Sequence, residues 1–134
     1  FITLFIAKYN SFTRKLTYIN AGHNPPILYD KVKNETFLLN EGCVGIGMLD
    51  YIPSVQVGRI RIKNNSKLIC FTDGLSEYSL KGHSDYGFLV TVKSIETQLS
   101  ITETIDKIIN DLNIKKGNPD IHDDITLLGV EFFV

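Results

Sequence analysis

Through its first half the chain alternates apolar and polar side chains in short runs; later the apolar positions fall three and four residues apart. The first pattern belongs to strands with one buried face, the second to amphipathic helices. Phe1 to Tyr9 and Lys15 to Asn20 are rich in β-branched and aromatic residues. The turn-prone Asn10-Ser11-Phe12-Thr13-Arg14 between them predicts a hairpin with a longer loop. Ile27-Leu28-Tyr29 and Thr36-Phe37-Leu38-Leu39 predict a second pair of short strands around the polar stretch from Asp30 to Glu35. The glycine-rich segment from Glu41 to Asp50 predicts irregular backbone. Val55, Val57, Ile60 and Ile62 predict a strand whose alternation shifts near Gly58, where a bulge would fit. Asn64-Asn65 then turns the chain into Leu68-Ile69-Cys70-Phe71, a continuous apolar run expected of a strand covered on both faces.

Phe88, Leu89, Val92, Ile95 and Leu99 predict one helix, and Ile101, Ile105, Ile108, Ile109 and Leu112 a second. Ser100 followed by Glu103 has the spacing of a capping box and marks the start of the second. Both apolar stripes fit packing against a sheet. Ile125 to Val134 predicts a closing strand. Strands first, then two adjacent helices and a last strand, predict an α+β fold with a mainly antiparallel sheet.

Composition narrows the classes of partner. At 134 residues the chain has the length of one ordinary domain, with 43% hydrophobic and 22% charged residues. A formal charge of -1, with dispersed basic residues, gives no reason to expect nucleic acid or an anionic membrane as a partner. No apolar run reaches the ~18–20 residues that cross a bilayer. The two cysteines, Cys43 and Cys70, lack metal-pair spacing and read as small buried core residues of a reducing compartment. A cytoplasmic location is therefore expected. The chain opens on the strand-like Phe1-Ile2-Thr3-Leu4-Phe5-Ile6 without an initiator Met, which reads as a piece of a longer protein.

Three polar clusters stand at strand ends. Asn20-Ala21-Gly22-His23-Asn24-Pro25-Pro26 follows the second strand, Thr72-Asp73-Gly74 follows the apolar strand, and His122-Asp123-Asp124 precedes the last. If the two strands that carry the aspartates lie antiparallel and adjacent, their carboxylates project from one edge of the sheet. A pair of such charges at ~4 Å repels by about 4 kcal/mol at an effective dielectric of 20, so three gathered acids call for a cation. Oxygen ligands of this kind select Mg²⁺ or Mn²⁺ over Zn²⁺. Each cluster also has an ordinary reading: an Asp-Gly turn, a solvated acidic loop, a rigid His-Asn-Pro-Pro turn. His83 and His122 read as exposed loop histidines. Gly45-Ile46-Gly47 lacks the strand–glycine–helix setting of a dinucleotide site, and no P-loop lysine follows it.

The order of the pieces is more specific than any one of them. FITLFIAKYN, LTYINAGHNPPILY, the GIGM segment, KLICFTDGLSEY, the YGF entry to a helix and DDITLLGVEF follow one another across nearly the whole chain. In this the sequence resembles the PPM-type metal-dependent protein serine/threonine phosphatases, in the branch of sporulation stage II protein E and the sigma-B regulator phosphatases. The resemblance implies a β-sandwich of mainly antiparallel sheets flanked by helices, with residues 1–134 as the C-terminal portion of one such domain. It implies that Asp73 and Asp123 are metal ligands in a site for two Mn²⁺ or Mg²⁺ ions. Asp124 and Gly74 fall beside these ligands, and His23 lies on a loop that carries a third-metal acid in eukaryotic-type relatives. Glu77 receives no catalytic role.

The implied reaction is hydrolysis of phosphoserine or phosphothreonine on a protein, an anti-sigma-factor antagonist in this branch, by a water activated between two ions. The family's first metal ligands belong to a region before FITLFIAKYN, so these residues alone are expected to be inactive. The resemblance also implies an upstream sensor or response-regulator domain, and an open sheet edge would allow a homodimer. Two other readings stand beside this one: a non-catalytic regulatory module on the same fold, and a metallohydrolase of small phosphate esters.

Overall fold

The computed structural model describes residues 1–80 and 82–134. The alternating first half folds as two sheets. In the first, β1 (Leu4–Asn10) and β2 (Lys15–Ala21) form the hairpin, with Leu4 opposite Ala21 and Asn10 opposite Lys15. The same β2 pairs antiparallel with β6 (Gly58–Arg61) and, for two residues, parallel with β5 (Gly42–Cys43). The second sheet has the order β4 (Glu35–Leu38), β3 (Ile27–Asp30), β7 (Ser66–Phe71), β8 (Leu127–Phe132), antiparallel throughout. Helices α2 (Tyr86–Ile95) and α3 (Ile101–Asp111) follow a four-residue turn of helix, α1 (Asp73–Ser76).

The side-chain alternation places two cores. Leu16 and Tyr18 from the first sheet meet Leu28, Leu68 and Phe132 from the second, with Leu39 and Ile62 closing the layer. On its other face the second sheet turns Ile27, Tyr29, Ile69 and Phe71 toward Leu75, Tyr78, Ile95, Ile108 and Leu112. Strand β7 is covered on both faces, which is why its run lacks polar alternation. The fold is thus a two-sheet sandwich with its long helices packed on the second sheet. Among the described residues no helix is long and apolar enough to cross a membrane.

Several expectations need correction. No strand runs through Val55 and Val57; β6 begins at Gly58. That glycine marks a close approach and not a bulge, because a Cβ there would lie 2.2 Å from the Tyr18 ring. The segment from Glu41 to Asp50 is irregular except for the two residues of β5. Helix α2 stops at Ile95, leaving Leu99 in the connection to α3, whose Leu99 carbonyl serves a buried lysine instead. The closing strand is shorter than its apolar run, Leu127–Phe132. Cys43 and Cys70 are free and half-buried rather than fully buried, with Cys70 packed against the first core. The capping box is present as expected: Ser100 Oγ accepts from Glu103 N–H, and the Glu103 carboxylate accepts from Ser100 N–H.

Candidate active site

Antiparallel pairing of β7 and β8 sets Phe71 opposite Leu127, so the residues leaving β7 and those entering β8 occupy one end of the sheet. Strand β3 pairs antiparallel with β7, with Ile27 opposite Ile69, which brings the 22–26 loop to that same end. All three polar clusters therefore meet at one edge of the sandwich. Thr72 stitches two of them together. Its N–H donates to Thr126 O at 3.2 Å, its hydroxyl donates to Asp124 O at 3.1 Å, and it accepts from Thr126 N–H at 2.9 Å.

Asp73 is the first residue of α1 and is exposed. Asn24 donates from Nδ2 to its Oδ1 at 2.6 Å, across 49 positions of sequence. Asp123 is exposed on the facing segment, where its Oδ1 accepts from Asp124 N–H at 2.7 Å. Gly74 packs against this segment so closely that a Cβ would lie 2.4 Å from Asp124 O and 2.9 Å from Asp123 O. A shallow cleft beside Asp123 is lined by Gly74, Glu77, Tyr78, Asp120 and His122. His23 is half-buried, with Nδ1 3.3 Å from Thr3 Oγ1. His83 and His122 are exposed, as expected of loop histidines.

The expectation that three acids gather at this edge is not met: among the described residues no three Asp, Glu, His or Cys side chains converge on a point that could hold a metal ion. Asp124 faces its neighbours through backbone, its carbonyl accepting from Thr72. The donor set nevertheless suits a hard cation in part. Asp73 and Asp123 are two exposed carboxylates on facing segments, neither in a salt bridge with a described residue. Such an ion takes more ligands than these two carboxylates.

Two participants were not visible from the motifs. Asn24 was part of the Asn20–Pro26 cluster, but its reach to Asp73 depends on which loop folds over the end of β7. Thr72 carried no signal beyond its place before Asp73. The spacing of the clusters alone could have nominated the loop, not the side chain.

The two-sheet sandwich with a polar edge at its strand ends has the architecture of metal-dependent protein phosphatases. Its fold matches the phosphatase domain of the cell fate determinant SpoIIE from Bacillus subtilis, presoaked with Mn, with a TM-score of 0.71 and 18% identity over 98% of this chain and 56% of that one. It also matches RsbX in complex with magnesium, with a TM-score of 0.61 and 22% identity over 95% of this chain and 54% of that one. The sequence profile of the stage II sporulation protein E (SpoIIE) family matches residues 1–133, and the chain belongs to that family. Phosphoserine phosphatase RsbU of Bacillus subtilis (strain 168) is 29% identical over 132 residues, which cover 96% of this chain and 38% of that protein. The chain thus spans well under two thirds of the relatives it matches.

Proposed function

We propose that this chain contributes the Asp73–Asp123 edge of a metal-dependent protein phosphatase that hydrolyses phosphoserine or phosphothreonine on a regulatory protein. The observation that carries the reading is the meeting of the two aspartates, 50 residues apart in sequence, at the common end of β7 and β8. Membership of the SpoIIE family and similarity to a phosphoserine phosphatase support it. Mn²⁺ or Mg²⁺ is the fitting cofactor, given the oxygen donors and the manganese and magnesium used with related folds.

Bound divalent ions supply charge neutralisation for the phosphoryl group and lower the pKa of the attacking water. The chain's own residues prepare for this. Asp73 and Asp123 offer the carboxylates, and Thr72 locks the two segments that carry them. Gly74 and Asp124 serve through close backbone packing. The resemblance puts His23 on the loop of a third ion's ligand, but here its Nδ1 lies 3.3 Å from Thr3 Oγ1. Since two carboxylates do not complete a two-ion site, the remaining ligands come from outside residues 1–134, and these residues alone do not turn over. These residues thus form one part of a single phosphatase domain. A phosphorylated anti-sigma-factor antagonist is the fitting substrate, an upstream sensor or response-regulator domain the fitting control, and the cytoplasm the fitting location.

The absence of three converging acids among the described residues keeps a non-catalytic module as the second reading. Phosphate release from a phosphoserine protein and from a small aryl phosphate, measured on the full-length protein with Mn²⁺, separates them. Turnover of the phosphoprotein that Asp73→Asn reduces by at least about 10²-fold supports the phosphatase, the order expected for one charge-stabilising group. No turnover of either substrate by the wild type sinks it, and turnover of the aryl ester alone would make it a small-ester hydrolase.

A further inference from the structure

The contact between Asn24 and Asp73 has supports that a chance surface hydrogen bond lacks. Asn20, 4% exposed at the end of β2, anchors the loop that follows. Its Nδ2 donates to Leu39 O at 3.1 Å and its Oδ1 accepts from His23 N–H at 2.8 Å, so the residue before Asn24 is tied to the sandwich interior. On the other side Pro25 restricts Asn24 to extended backbone, and Pro26 is buried beneath the loop. Both neighbours thus fix the point from which Asn24 reaches Asp73. Its amide takes one carboxylate oxygen, Oδ1, at 2.6 Å; among the described residues no hydrogen bond reaches Oδ2. The charged acceptor makes this a bond of the stronger kind.

The geometry points to Asn24 as a positioning residue that holds the Asp73 carboxylate in one orientation, with Oδ2 turned free for a divalent cation, while Asn20 fixes the loop behind it. This rests on the metal-site reading above and adds a residue to it. Asn24 touches no reacting atom; it acts through Asp73. The loop couples the two sheets, because Asn20 belongs to the first and Asp73 follows β7 of the second. Cation affinity at Asp73 therefore depends on how the β2–β3 loop sits.

The test is Mn²⁺ titration of the full-length protein by electron paramagnetic resonance, for wild type, Asn24→Ala and Asn24→Ser, with the Tm of each metal-free protein. Loss of an outer-shell partner typically weakens metal binding 10–100-fold, so Asn24→Ala is expected to raise the Mn²⁺ Kd by about tenfold. The Mn²⁺ concentration for half-maximal phosphate release should move by the same factor. Asn24→Ser, which keeps a shorter donor, should fall between the two and serves alone if the alanine variant does not fold. An unchanged Kd in both variants, with a lowered Tm, would make Asn24 a strut and overturn the inference. A wild type that binds no Mn²⁺ would instead overturn the site reading, and this inference with it.

Discussion

Two groups of charged residues on this small domain are treated in opposite ways. Lys67, the second residue of β7, is fully buried, and every donor it offers is used. Its Nζ donates to Thr97 O at 2.8 Å, Thr104 Oγ1 at 3.0 Å and Leu99 O at 3.1 Å, and it lies 5.6 Å from the centre of the Tyr29 ring. Glu131 on β8 accepts from Lys31 Nζ at 3.2 Å and from Ile101 N–H at 2.9 Å, capping α3 from the sheet. Just beyond the ends of the same two strands, Asp73 and Asp123 are exposed and carry no cationic partner among the described residues. Charges that a fold needs are buried with their partners; charges left without partners at a strand end are where a site is to be sought.

The largest effect should come from breaking the buried group. Lys67→Ala removes a long buried side chain and leaves the Thr97 and Leu99 carbonyls unpaired, so unfolding by urea should show a loss of about 3–5 kcal/mol. Next is a pH dependence. Burial, aided by the charge of Lys31, lowers the Lys67 ammonium from 10.5 to about 8, against the pull of Glu131 and Glu103. A depressed lysine means that the unfolded chain binds more protons between those values. The cost of burying this charge is therefore full below about pH 8 and is relieved as pH rises toward 10.5. Burial raises Cys70 to about 11 and raises Tyr29 as well, and both act in the opposite sense. The quantity to measure is thus the difference between wild type and Lys67→Met, which should grow in favour of wild type from pH 8 upward; a flat difference would show that burial does not lower the Lys67 ammonium. The smallest change is Gly74→Ala, where a Cβ meets the carbonyls of Asp124 and Asp123. Chemical denaturation should show a loss of about 1–3 kcal/mol, with weaker Mn²⁺ binding as the two segments part.

Much of this arrangement was legible in the sequence, and the parts that were not share a cause. Short-range signals worked: the hairpin around Asn10–Arg14, the apolar run of β7 and the Ser100–Glu103 box all form as expected. The antiparallel adjacency of β7 and β8, which the sequence left as the condition for bringing Asp73 and Asp123 to one edge, is present. Failures came where tertiary contacts decide. Gly58 looked like a bulge because its alternation shifts, whereas its bareness serves the ring of Tyr18. Leu99 fits the helical spacing, yet its carbonyl is claimed by Lys67 after α2 has ended. Lys67 itself drew no notice, since a lysine beside an apolar run looks like a strand end until the helices cover it. Asn24 was invisible for the same reason, its partner being 49 residues away.

The central claim is that Asp73 and Asp123 serve one cation site. It is tested most directly by Mn²⁺ titration of the full-length protein with Asp73→Asn, Asp123→Asn and both together. If the two share a site, each single change should weaken Mn²⁺ binding strongly and the double change should cost less than the sum of the two, as coupled neighbours do. Unweakened binding in both single variants, or two losses that simply add, would contradict a shared site at this edge.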